Sequence, residues 1–355
     1  EIVFGDWSSD VCSSDLVRTL LMDPNIAARF TEAHLRAAMR FYDIPTGQIE
    51  ELDGFESFIY KFQRPDGPFI LRIGHSERRS PNLIRGEVDW INYLAAGGAS
   101  VAKAILSANG NLVEAVEDGQ GGEFLCTAFV HAPGGSVTRD RVNDRLCHNY
   151  GRLLGRMHAL AKSYRVSNPA WQRYAWDSPE NNTAERQMPK REKIALEKYR
   201  SVFASLRSLP READAYGMIH QDAHPGNFFV DDDDNLTLFD FDDCVYGHFI
   251  YDIAMVLFYT SIGEPDPAGY TGQFMPVFLA GYREENQLDP AWLRELPHFM
   301  KLREIDLFAA IHFSSEDGDN PDHPWSARYM KGRRERIEGD VPFIDYDWDS
   351  LAQYL

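Results

Sequence analysis

Cysteine is scarce in this chain. Four occur among 355 residues, Cys12, Cys126, Cys147 and Cys244, and no two stand in a C-x-x-C pair. That excludes a disulfide framework and a cysteine-built zinc site, and it suits a reducing cytoplasm. No run of about eighteen apolar residues occurs, which excludes a membrane-spanning helix, and no signal peptide is legible. There is no internal repeat, no long linker and no G-x-G-x-x-G phosphate loop. Positive charge is the minority sign: 36 Lys and Arg stand against 55 Asp and Glu, a formal net charge of −19. This balance argues against duplex nucleic acid as a partner. It would suit a cationic ligand, although acidic soluble proteins without one are common.

The first sixteen residues, EIVFGDWSSDVCSSDL, read unlike the rest. They resemble the translation of a sequencing-library adapter, with room for an index between the two matching parts. They are set aside from fold reasoning as non-native, with Met22 as the expected native start. Removing Glu1, Asp6, Asp10 and Asp15, which have no basic residues among them, takes the formal charge from −19 to −15.

What remains exceeds one small core and suggests two lobes. Residues 25–42 carry Leu35, Ala38, Met39 and Tyr42 at helical spacing. GFESFIYKFQRPDGPFILRIG holds two aromatic and β-branched runs split by Arg64-Pro65-Asp66-Gly67, a hairpin signal. Ser80-Pro81 opens a helix with Ile84, Val88, Ile91 and Ala95 on its apolar stripe. Strands are expected near 101–115 and over 123–130. After His131-Ala132-Pro133-Gly134-Gly135 the pattern turns helical, over 145–164, 191–207, 248–262, 271–286 and 291–313. Gly151 and Gly155 within the first of these imply close packing on another backbone. The expected fold is therefore α+β and bilobal. It comprises an N-terminal helical segment over 17–48, a small β-rich N-lobe over 49–131 and a larger helical C-lobe over 132–355.

The chemistry is concentrated in MIHQDAHPGNFFVDDDDNLTLFDFDDC, residues 218–244. Two short apolar runs flank a polar turn at 231–234, so a hairpin is expected. Its ends would bring Asn227 close to Asp240, with Asp222 one tight loop away. A carboxylate beside an amide oxygen and a second carboxylate is what phosphoryl transfer requires: one group to orient a hydroxyl, two to hold a magnesium ion. The tetrad of aspartates at 231–234 reads as a solvated turn. His224 reads as a loop histidine bonded to backbone, His158 as a satisfied core histidine, and Cys244 as packed and inert.

The spacing His220-x-Asp222-x-x-x-x-Asn227, followed by an apolar strand and Asp240-Phe241-Asp242, resembles the aminoglycoside phosphotransferase and choline-kinase-like family, relatives of the protein kinases. Gly247-x-x-x-Tyr251-Asp252-Ile253-Ala254 resembles the family segment whose aspartate braces the catalytic loop. The resemblance spans about residues 50–315 and implies a protein-kinase-like fold, ATP and Mg²⁺. Carried over, it makes Asp222 the catalytic base and His220 the residue that holds its loop. Asn227 and Asp240 become metal ligands, and Asp242 a second metal contact.

The same resemblance places the nucleotide under the N-lobe. Arg72 of FILRIG takes the strand position where protein kinases carry lysine, and Glu87 on the next helix is its expected ion-pair partner. Arginine presents a planar fork to phosphate, not a point charge. Gly54-Phe55-Glu56-Ser57 stands in for the glycine-rich loop, with Gly54 and Ser57 as the contacts. Adenine is expected at the backbone around Phe129 and His131. No side chain selects ATP over GTP.

The function implied is transfer of the γ-phosphate to a hydroxyl of a small molecule. Asp243, Arg303, Glu304 and Asp306 are the candidate acceptor wall, and its acids would suit a cationic acceptor. Three alternatives stay open. A protein Ser/Thr kinase is disfavoured by the few residues between Asp242 and Gly247. A nucleotide-binding pseudoenzyme sits poorly with an intact Asp222, Asn227 and Asp240. A metal hydrolase on His220, Asp222 and His224 leaves Asn227 without a role.

Overall fold

The computed structural model describes residues 23–355 apart from 55, 139–140, 316 and 320. Residues 1–16, Met22 and Phe55 lie outside the described residues. The helix expected over 25–42 is two, α1 (Pro24–Ala27) and α2 (Glu32–Phe41). Thr31 is extended and forms a reciprocal cap with His34, which ends one helix and starts the next.

The N-lobe is an antiparallel sheet. Its strands are β1 (Ile49–Leu52), β2 (Phe58–Arg64), β3 (Gly67–His75), β4 (Ala104–Ile105), β5 (Glu114–Glu117) and β6 (Glu123–Val130). Their order is β1-β2-β3-β6-β4, with β5 also on β6. The Pro65-Asp66 turn joins β2 to β3, Arg64 pairing with Gly67, whose φ of +134° an L side chain rarely adopts. Tyr60, Phe62, Leu71, Ile73 and Cys126 form one buried cluster with Ala38 and Met39 of α2 and with Tyr42, which caps that helix. The Tyr42 hydroxyl donates to the Cys126 carbonyl at 3.0 Å. The helical segment drawn apart from the N-lobe thus shares its core. Arg29 fastens α1 to the sheet through Glu77 and Asp118, at 2.8 and 2.5 Å.

Helix α3 (Pro81–Ala96) begins at the Ser80 cap and contributes Ile84, Val88, Trp90 and Leu94 to the large second core. In the C-lobe, α4 (Asp144–Ala161) lies against α8 (Pro267–Glu285) with almost no side chain between them. A Cβ on Gly151 would stand 1.9 Å from the Phe278 carbonyl oxygen, and one on Gly281 2.0 Å from that of His148. The glycines are there to permit this approach. The chain continues through α5 (Ala184–Gln187) and α6 (Lys193–Arg207) to β7 (Tyr216–Ile219). The hairpin β8 (Phe228–Val230) and β9 (Leu236–Leu238) follows, then β10 (Val245–His248) paired with β7. All of α7 (Phe249–Ser261) is buried. Helix α8 starts at Pro267, earlier than expected, because Asp266 caps it. The helix expected over 291–313 opens as a 3₁₀ turn, Pro290–Glu295, before α9 (Leu296–Ser314). Helices α10 (Pro324–Met330) and α11 (Arg333–Glu338) follow. No described helix is long and apolar enough to cross a membrane.

Candidate active site

The hairpin β8–β9 does what its sequence implies. The Phe239 amide donates to the Asn227 carbonyl at 2.8 Å, which sets Asn227 beside the strand end that carries Asp240. Asn227 spends its amide nitrogen on Asp222, donating to the backbone carbonyl at 2.8 Å and to Oδ2 at 3.4 Å. Among the described residues no hydrogen bond reaches its amide oxygen, which could serve as a ligand. Residues 231–234 are a turn: Asp231 Oδ1 accepts from the amides of Asp233 and Asn235, both at 2.9 Å.

Besides Asp234 in that turn (φ +58°), two residues flanking the site adopt a left-handed backbone without being glycine, Gln221 at φ +70° and Asp240 at φ +61°. Such geometry costs about 1–3 kcal/mol per residue and persists only where the surroundings impose it. Buried Asp252 on α7 imposes it at one end. Its carboxylate accepts from the amides of His220 (2.9 Å) and Gln221 (2.7 Å) and contacts His158 Nε2 at 3.2 Å. His158 is more than a satisfied core histidine: it links this brace to the Tyr282 hydroxyl on α8, at 2.8 Å. Burial, opposed by Asp252, shifts His220 toward its neutral form. Its Nε2 meets the Phe239 carbonyl at 3.1 Å and its ring packs on Phe241, so it joins the loop of Asp222 to that of Asp240.

Asp222 is half-buried. Burial alone would push its carboxyl up, but His224 and Arg303 outweigh it and hold the group below the ordinary carboxylate range. Arg303 on α9 lies 2.9 Å from Oδ1 and also donates to the Tyr259 hydroxyl. His224 Nε2 lies 3.4 Å from Oδ2. Its Nδ1 accepts from the Gly226 amide at 2.9 Å, the backbone bond expected of it.

Asp240 behaves in the opposite way. Loss of hydration and the charge of Asp242 push it up to about 7, with Arg72 pulling against them. Its side chain still reaches the solvent of the cleft. Accumulated negative charge facing open space fits a cation ligand. Asp242 is engaged by two arginines. Arg78 approaches it at 2.5 Å and Arg79 at 3.3 Å, and these arginines hold it well below the ordinary range despite burial. Asp243 pairs with Arg79 at 2.7 Å. Arg173 donates to the Asp242, Cys244 and Leu83 carbonyls, tying this segment to α3. Cys244 itself is fully buried.

In the N-lobe, Arg72 and Glu87 form a two-pronged ion pair at 2.8 and 2.7 Å, and the guanidinium carbon lies 5.0 Å from the Phe129 ring centre. Asp240 and Asp242 both act electrostatically on Arg72, so the fork faces the acidic side of the cleft. Gly54 passes close to the chain ahead of it: a Cβ there would stand 2.2 Å from the Ser57 carbonyl oxygen. The Glu56 carboxylate pairs with Arg78. The His131 amide already donates to the Pro68 carbonyl at 3.1 Å.

The acceptor wall divides. Arg303 and Asp306 are half-buried beside Asp222 and Tyr199. Glu304 lies on the opposite side of α9 and is fully buried, held by Lys301 and Arg333 at 2.5 Å each. It is a structural anchor for α11 and not an acceptor contact, because successive helical residues diverge by about 100°. Tyr259, beside both Arg303 and His224, was not expected. Nothing in the sequence separates it from the other polar side chains of α7, Tyr251, Asp252, Thr260 and Ser261.

This arrangement can present an ionised carboxylate to a hydroxyl while a cation and an arginine flank a phosphate. The profile of the phosphotransferase enzyme family matches residues 48–296. Amicoumacin kinase of Bacillus subtilis (strain 168) is 37% identical over 325 residues, covering 90% of this chain and 96% of that protein. The chain belongs to the phosphotransferase enzyme family. As a member it is a kinase with a hydroxyl acceptor, on a kinase-like α+β fold. Among solved structures, amicoumacin kinase hAmiN in complex with AMP-PNP, Ca²⁺ and Ami superposes with a TM-score of 0.87 at 35% identity, covering 93% of this chain and 100% of that one. A microcompartment-associated aminopropanol kinase shares the fold, with a TM-score of 0.69 at 21% identity over 90% and 98% of the two chains.

Proposed function

We propose that this phosphotransferase moves the γ-phosphate of ATP, as its magnesium complex, to a hydroxyl of a small organic molecule that faces Asp222. The observation that carries the reading is the convergence of Asp222, Asn227 and Asp240 on one wall of the cleft, with the Arg72–Glu87 pair in electrostatic reach. The Asn227 amide oxygen and the Asp240 carboxylate would hold the metal. When bound, magnesium neutralises charge on the transferring phosphoryl group. Asp242, held by Arg78 and Arg79, would pin the metal loop to the segment that leads into α3, in place of the second metal contact that the resemblance implied.

Asp222 stays ionised at neutral pH, since Arg303 and His224 favour its charge. It is therefore a strong orienting acceptor for the substrate hydroxyl and a weak base. That combination suits a loose transition state, in which the proton leaves late. Arg72 would neutralise phosphate with the face of its fork that Glu87 leaves free. The His131 amide being occupied, the adenine edge would meet that of Ala132, which donates to no backbone carbonyl among the described residues.

The kinship with amicoumacin kinase makes amicoumacin the first acceptor to test. ADP release would be followed with amicoumacin, homoserine, amino alcohols, sugars and aminoglycosides in magnesium buffer. Acceptor-dependent release with any of them supports the reading. Release that ignores every acceptor, or that persists without divalent metal, would refute it.

A further inference from the structure

Between Phe299 and His312, the residues of α9 that are not buried are Arg303, Asp306 and Ala310, and exposed Phe313 follows. These intervals of three, four and three residues set the four side chains within an arc of about 80°. The rest of this stretch packs against α7, α5 and α6. The open arc has a fixed origin, because Arg303 touches the Asp222 carboxylate at 2.9 Å. It runs about 15 Å along the helix from there to Phe313.

Its chemistry changes along that length. Asp306 is half-buried with the Tyr199 hydroxyl beside it, and among the described residues no salt bridge reaches it. Burial pushes its carboxyl up to about 7, Arg303 and Tyr199 opposing. A cationic partner would be welcome there. Ala310 is half-buried and presents only a methyl group. Phe313 is 65% exposed, the most of any large apolar side chain among the described residues, with Leu106 next at 55%. That ring lies at the end of a polar track, on the helix that contacts Asp222, and no stacked or edge contact with another ring is found for it among the described residues.

We propose, on the basis of the phosphotransferase reading above, that this face of α9 is the acceptor track. The substrate is an elongated amino alcohol: its hydroxyl meets Asp222, its amine meets Asp306, and an apolar ring or chain lies on Phe313. Short acceptors occupy only the polar end and forgo the Phe313 contact.

The test compares ethanolamine, N-(4-phenylbutyl)ethanolamine, its neutral ether analogue and amicoumacin as acceptors, by initial rates of ADP release. The phenylbutyl amine should surpass ethanolamine in kcat/KM by tenfold or more, the ratio expected for covering an aromatic side chain, about 10- to 100-fold. Phe313→Ala should remove most of that preference through KM and not kcat, and should raise KM for amicoumacin likewise. Asp306→Asn should weaken the amine and spare the neutral ether. Equal rates for long and short acceptors, or a Phe313→Ala variant that leaves KM in place for every acceptor turned over, would overturn the track while leaving the phosphotransferase reading intact. If no acceptor in the panel is phosphorylated, that reading falls and the track falls with it.

Discussion

Replacing Asp252 by alanine removes the brace beneath the catalytic loop. Its carboxylate is the acceptor for the His220 and Gln221 amides and the partner of His158, and the site is fully buried. Stranding a buried donor costs about 1–3 kcal/mol, so three donors lose on the order of 3–9 kcal/mol together. A domain of ordinary stability has about 5–15 kcal/mol in all. Asp252→Ala should therefore lower the urea midpoint, followed by tryptophan fluorescence, by a large fraction. Asp252→Asn keeps one oxygen but turns an N–H toward other donors, and should fall between alanine and wild type. Activity should drop further than stability explains. Without its two anchors Gln221 relaxes from φ +70°, and Asp222 loses its aim. An alanine variant with an unchanged midpoint would refute the brace. So would one whose lost activity returned in full once the folded fraction was taken into account.

Other consequences can be checked separately. Asp240→Ala should abolish the magnesium dependence of nucleotide binding in a calorimetric titration, whereas Asp242→Ala should chiefly lower the melting temperature by releasing Arg78 and Arg79. Arg72→Lys should keep nucleotide affinity within about tenfold and reduce the transfer rate more, since a point charge cannot reproduce the forked pair with Glu87. Fully buried His248, whose Nε2 meets the Pro210 carbonyl, is pushed down to about 4 by burial. The unfolded chain binds that proton more readily. The contribution of neutral His248 is therefore complete above about pH 6.5 and lost as pH falls toward about 4, a span of about 3 kcal/mol. His248→Gln should flatten the stability profile in that window; an unchanged profile would assign the acid sensitivity elsewhere.

The hairpin and its site were legible because residues 218–244 place chemistry at spacings that local geometry alone can close. The antiparallel pairing of Phe228 with Leu238 required no distant partner. Arg72–Glu87 was legible for a related reason, a strand residue and a residue early in the following helix. Arg303 was placed near the acceptor, but not on Asp222 itself, because that contact joins residues 81 positions apart. The error over Glu304 has a plain cause. Helix α9 is apolar on most sides and carries its charges in succession, so sequence periodicity does not tell which of them faces the cleft. The division at Thr31 depended on a histidine completing a cap, where glutamate or glutamine is usual.

The account rests on Asp222 facing the accepting hydroxyl. Rapid-mixing transfer of labelled phosphate from ATP to an acceptor, measured for Asp222→Asn against wild type, tests this most directly. A loss of about 10²–10⁴-fold in the transfer step, with nucleotide affinity within about twofold, is the predicted result. Transfer at near the wild-type rate would contradict it.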